Sequence, residues 1–101
     1  WAVLYPREVT AEVGETIELE LRISNHSPME REFEVTPRLP PGLSLLRSEG
    51  PIKLKPHGSG VVHLAVAVKD TDKTQSVVTV DIESDDMRFY RWADAVVRIE
   101  P

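Results

Sequence analysis

Cysteine is absent from this chain of 101 residues, which removes disulfides, thiolate metal sites and cysteine nucleophiles together. The absence leaves the compartment open; an extracytoplasmic or cell-surface setting is the favoured expectation. Aromatic residues are scarce, two each of Trp, Tyr and Phe, so their placement is informative. Positive charge is in deficit, with 17 acidic against 12 basic side chains and a net charge of −5. That balance argues against binding a phosphate backbone, and so against nucleic acid as a partner. It equally disfavours adhesion to an anionic bilayer. No apolar run approaches the roughly 20 residues that cross a membrane, so direct insertion is not expected. No leader-like segment is visible, and the first residue is Trp1. The expectation is a single domain, residues 1–101, excised from a larger protein or left by processing.

What the chain has is period-two alternation. Thr16 to Ser24 sets Ile17, Leu19, Leu21 and Ile23 against Glu18, Glu20 and Arg22, the pattern of a strand with one buried face. The same reading gives strands over Val9 to Val13, Glu30 to Pro37, Leu43 to Leu46, Ile52 to Lys55, Val61 to Val68, Ser76 to Ile82 and Arg88 to Glu100. Inward rows are expected from Phe33 and Val35, from Val62, Leu64, Val66 and Val68, from Val78, Val80 and Ile82, and from Ala93, Ala95, Val97 and Ile99. Between Pro37 and Gly42 three prolines argue for irregular chain, and Pro56 to Gly60 reads as a turn. No helical period competes. The fold class is therefore all-β, an immunoglobulin-like antiparallel β-sandwich of seven to eight strands.

The order of these turns carries a resemblance. Gly14-Glu15-Thr16 precedes a long alternating strand that ends in Ile23-Ser24-Asn25-His26-Ser27. Leu39-Pro40-Pro41-Gly42-Leu43 follows, and Leu54-Lys55-Pro56-His57-Gly58-Ser59-Gly60 introduces the next long strand. From about Val13 to Ile99 this resembles the fibronectin-III-like accessory modules of the NEW3 and CARDB type found in bacteria and archaea. It departs from them in Pro56-His57-Gly58 and in the aromatic content of Asp85 to Trp92. The resemblance implies a non-catalytic accessory module, without cofactor, that packs against a neighbouring domain of the same polypeptide or a protein partner.

Chemistry-bearing residues are few. If strand direction alternates with each strand, the loops at 25–28 and 56–60 lie at opposite ends of the sandwich, about 23 Å apart, so His26 and His57 cannot share a metal. His63 stands mid-strand and reads as structural. Asp70 and Asp72 in one turn and Glu83, Asp85 and Asp86 in another invite calcium, but each group alone falls short of the six to eight oxygens it needs; acidic turns are common because Asp bonds its own backbone. Ser59 beside His57 lacks the orienting carboxylate that a nucleophile requires, so no enzyme is expected. Asn25-His26-Ser27 fits a glycosylation acceptor, weakened by Pro28.

The aromatics remain. Trp1 and Tyr5 open the chain, and Phe89, Tyr90 and Trp92 cluster beside Arg88 and Arg91. Alternation places Phe89 inward and both Tyr90 and Trp92 outward with Asp94 and Val96. Exposed Tyr, Trp and Arg are the composition of interface anchors, so Trp1, Tyr5, Arg88, Tyr90, Arg91 and Trp92 are the candidate site residues. The alternatives are a polysaccharide-binding module that stacks sugar rings on Trp92 and Tyr90, or aromatics that merely cap the sandwich edge or cover the N-terminal segment. The mostly apolar outer row Val61, Ala65 and Ala67 suggests a partner surface, unless a loop covers it.

Overall fold

Alternation becomes two facing sheets. The computed structural model describes residues 1–69, 71–85 and 87–100. Nine strands are found among them: β1 (Ala2–Tyr5), β2 (Glu8–Glu12), β3 (Thr16–Ser24), β4 (Arg31–Arg38), β5 (Leu43–Ser48), β6 (Ile52–Leu54), β7 (Ser59–Val68), β8 (Gln75–Ser84) and β9 (Met87–Glu100). One sheet has the order β1-β3-β7-β5 and the other β2-β9-β8-β4-β6. The inner rows are those the alternation predicts. Leu19, Leu21, Leu64, Val66, Val78, Val80, Ile82, Ala95 and Val97 are wholly enclosed, each larger side chain contributing about 1.5–3 kcal/mol by leaving water.

Three departures from the sequence expectation have physical causes. The first strand begins at Ala2 rather than Val9 and is split around Pro6. β1 pairs antiparallel with β3, Leu4 opposite Leu21, and β2 pairs parallel with β9, Ala11 opposite Ile99. The chain thus crosses from one sheet to the other and staples them along one side. Second, β4 continues through Pro37 to Arg38. β6 covers β4 only from Arg31 to Phe33, so Pro37 sits where one side of β4 is open and a missing N–H is tolerated.

The third departure corrects the direction count. β5 is antiparallel to β7, and β6 is antiparallel to β4; both therefore run the same way as β3. Glu49-Gly50-Pro51 is not a hairpin but a switch between sheets without reversal. The 25–28 and 56–60 loops consequently share one pole, where the Asn25 N–H donates to the Gly58 carbonyl at 2.8 Å and the His57 N–H to the Ser27 carbonyl at 3.2 Å.

Asn25, 2% exposed, ties that pole together. Its Nδ2 donates to the carbonyls of Met29, Leu54 and Lys55 at 2.9, 3.2 and 3.1 Å, and its Oδ1 accepts the Ser27 N–H at 3.0 Å. A nitrogen so enclosed is not an acceptor for glycans in the folded chain; the Asn25-His26-Ser27 triplet is structural.

The outer row of β7 is also covered. Arg47 and Glu18 stand on either side of Ala65 in the ladder and approach to 3.5 Å, arching over an alanine only 5% exposed. Ala67 is buried beside it and Val61 is 40% exposed, so this row offers no continuous docking surface. Truncating Asn25 removes four hydrogen bonds at once, one of them to the buried Leu54 carbonyl, so Asn25→Ala is expected to lower stability by about 2–3 kcal/mol. A urea midpoint that falls at unchanged slope is the measurement.

Candidate functional site

The pole that Asn25 braces is closed by aromatic rings. Phe33 projects inward from β4 and is buried; Trp1 lies above it with ring centroids 6.0 Å apart. Phe89, from the start of β9, meets Trp1 edge-on at 4.9 Å, and Trp92 completes the group at 5.5 Å from Trp1 and 4.9 Å from Phe89. Edge-to-face contacts at these spacings are favourable beyond simple burial. The group is not sealed: Trp92 keeps 46% of its surface exposed and Met87 45%. A cleft of about 250 Å³ opens here between apolar walls of Trp1, Phe33, Met87 and Phe89, with His26 and Arg31 at its rim. An ion pair to Asp85 holds Arg31 in place.

How Trp92 reaches Trp1 follows from an irregularity in β9. Val80 pairs with Ala93 and Ile82 with Phe89, so Tyr90, Arg91 and Trp92 all stand opposite Asp81. This is a β-bulge with two surplus residues. Arg91 takes a positive φ of 51°, uncommon for a residue with a side chain. Because the surplus is even, Phe89 and Ala93 stay on the inner face, as alternation requires. Tyr90 and Trp92 part company: Trp92 turns to Trp1 and Phe89, while Tyr90 lies over the outer face of the five-stranded sheet. The expectation that both point outward together is therefore corrected, and they form no common stacking platform.

Asp81 holds the bulge. It belongs to an outward row yet is only 6% exposed, because the surplus chain folds over it. Its Oδ1 accepts the Arg91 N–H at 2.8 Å and its Oδ2 accepts Arg38 Nε at 2.8 Å. The Arg91 amide first, and then the Arg38 guanidinium, hold the carboxyl below its ordinary pKa against the burial that pushes it up.

Around this clamp the outer face hollows into a cleft of about 700 Å³, lined by Arg38, Arg91 and Tyr90 with Leu39, Pro40 and Val77 as its apolar side. Tyr90 is 62% exposed. Arg88 lies beside it, its pKa raised by the Tyr90 side chain first and by Glu83 second.

The six candidate residues thus divide. Trp1 and Trp92 come together at the pole; Arg88, Tyr90 and Arg91 gather on the outer face of the five-stranded sheet. Tyr5 belongs to neither: it sits on the opposite sheet, its ring 4.1 Å below the Arg22 guanidinium. Asp81 and Arg38 escape sequence reasoning, since an Asp in an alternating strand reads as solvated. Phe89 and Met87 gain their place from the pole's geometry. The acidic turns are separate from these sites. Glu83 and Asp85 face Glu32 and Glu34 across a hollow, while Asp70 and Asp86 lie outside the described residues. Among the described residues no three His, Cys, Asp or Glu side chains converge as a metal-binding group.

A carboxyl whose folded pKa lies below the unfolded value of about 3.9 contributes stability above that pH and loses it as pH falls through the folded value. Asp81→Asn is therefore expected to cost about 1–3 kcal/mol at neutral pH, with the deficit closing in acid below the folded pKa. Thermal midpoints of both proteins between neutral and strongly acidic pH test the convergence.

No protein-family model matches the sequence, and no curated protein does; of the resemblance noted in the sequence, the immunoglobulin-like fold is supported, and the NEW3 and CARDB type is not among the matches. Solved structures do match. Escherichia coli alpha-2-macroglobulin aligns over 100% of this chain and 6% of its own, at 17% identity and a TM-score of 0.76. A chain of the chaperone–tip adhesion subunit pre-assembly complex of Acinetobacter baumannii Csu pili aligns over 99% of this chain and 52% of its own, at 11% identity and 0.59. An ASH, PapD-like domain of a human protein aligns over 96% and 83%, at 14% identity and 0.57. The chain therefore spans a small part of the macroglobulin and about half of the pilus-complex chain. At such identities the likeness is one of architecture, and it agrees with the two sheets described above: the chain is an immunoglobulin-like β-sandwich.

Proposed function

We propose that this sandwich is a non-catalytic accessory module that docks a neighbouring domain of its own polypeptide, or a protein partner, through the aromatic pole. One observation carries the reading. Trp1, Phe89 and Trp92 are locked against one another, Trp92 and Met87 keep nearly half their surfaces exposed, and an apolar cleft opens against Trp1, Met87 and Phe89. Rings already fixed by their neighbours lose little conformational freedom on binding, and buried Trp dominates many interfaces. Sandwich domains occur in a chaperone–subunit complex and in the macroglobulin among the structural matches, which supports an interaction role. The reading assigns the domain no reaction. Ser59 and His57 share a turn, and neither has a hydrogen-bonded carboxylate among the described residues.

The test compares Trp emission in the isolated sandwich and in the full-length gene product. Docking predicts blue-shifted emission and weaker quenching by iodide in the full-length protein. It also predicts that Trp92→Ala weakens the contact by about 2 kcal/mol, roughly 30-fold. Equal quenching in both forms, with equal amide exchange across Met87 to Trp92, overturns the reading.

A further inference from the structure

The cleft on the outer face of the five-stranded sheet is distinct from the aromatic pole and unused by the docking reading. We infer that it binds a single acidic sugar ring, a uronate laid on Tyr90 with its carboxylate on the guanidinium of Arg38.

The argument starts from what the bulge does. Three residues opposite Asp81, one of them in a left-handed conformation, are a costly way to continue a strand. Bulges and positive-φ residues gather where a side chain must be re-aimed. Here the re-aimed side chains are Tyr90 and Arg91, and both line the cleft.

Arg38 is prepared in the same way. Asp81, its side chain 7% exposed, engages only the Nε of Arg38. That contact orients the guanidinium, whose side chain stays 62% exposed, and leaves both terminal nitrogens without a partner among the described residues. A planar fork held from behind is suited to a bidentate carboxylate. Arg91 adds a second positive side chain, so two arginines line the cleft against the single carboxylate of Asp81, which is already bonded to Arg38 and to the Arg91 backbone.

The remaining surface selects the rest of the ligand. Tyr90 is exposed, and Leu39 and Pro40 line the same cleft as apolar surface; a pyranose ring has the flat apolar face that stacks on an aromatic ring. Thr79 supplies a hydroxyl at the cleft for a ring hydroxyl. A carboxylate alone would use Arg38 and leave Tyr90, Leu39 and Pro40 without a role, which favours a sugar acid over an acidic peptide. The net charge of −5, and the hollow of Glu32, Glu34, Glu83 and Asp85 on the same protein, repel an extended polyanion. The ligand is accordingly one acidic unit, at the end of a glycan or within a neutral one.

Titration of the ¹⁵N-labelled domain with methyl glucuronide, methyl glucoside, acetate and a short acidic peptide decides it. The glucuronide should shift the Arg91 amide and the Arg38 Nε–H signal, binding at least about tenfold more tightly than the glucoside or acetate. Tyr90→Ala, which leaves the Asp81 clamp intact, and Arg38→Lys should each weaken glucuronide binding by about tenfold or more. Trp92→Ala should leave it unchanged, which separates this cleft from the docking pole. If Arg38→Lys fails to fold, Tyr90→Ala still decides. No shift at about 50 mM glucuronide, equal shifts from acetate, or tighter binding of the peptide overturns the inference.

Discussion

A single carboxylate sets the geometry of both surfaces described here. Asp81 lies in a row whose neighbours face water, and it can be buried only because β9 supplies two surplus residues that fold across it. Its two oxygens are divided between a backbone N–H of Arg91 and the Nε of Arg38. The first bond stabilises a conformation that Arg91 would otherwise resist; the second draws β4 and β9 toward the same point across β8. From that arrangement follow the outward Tyr90 and the Trp92 that turns back on Trp1. Charge-assisted hydrogen bonds are stronger than neutral ones, and burial makes their loss more costly.

The aromatic side chains near Asp81 are divided between two separate surfaces, the pole and the cleft. At the pole, rings brace rings, and Asn25 donates to three carbonyls, those of Met29, of Leu54 at the end of β6 and of Lys55 just after it. On the sheet face Tyr90 stands alone with arginines about it. The opposite sheet carries charged side chains laid over single positions. Arg47 and Glu18 bridge Ala65, and Arg22 lies over Tyr5, so long charged side chains cover small or apolar ones with their stems. The two sheets thus have different surfaces: charged pairs lie over Ala65 and Tyr5 on one, where Val3, Leu45 and Leu46 stay exposed, and the other is hollowed.

Fold class was legible because alternation is a local property. The inner rows of β3, β7, β8 and β9 follow from one residue in two being apolar, and each is buried as the pattern requires. What lay beyond reach was anything set by pairing. Strand direction is one such property: only the ladders of β5 with β7 and β6 with β4 show that the chain changes sheets at Glu49-Gly50-Pro51 without turning. Asn25 looked like a loop residue or a glycan acceptor; its burial depends on the 55–58 turn arriving at the same pole. Tyr90 and Trp92 are separated by a bulge that alternation cannot anticipate, since the side chain that holds it, Asp81, lies on the neighbouring strand. Ala2 to Tyr5 was missed because four residues before a proline show too little period to read.

The split first strand has a mechanical consequence. β2 runs parallel to β9, Glu8 opposite Val96 through to Glu12 opposite Glu100. Tension applied upstream of Glu8 and downstream of Glu100 therefore slides the two strands past one another instead of peeling them apart. In that direction the bonds of the ladder share the load and must break together. The sandwich, 47 Å long and less than half as wide, is built to carry a pull along its long axis.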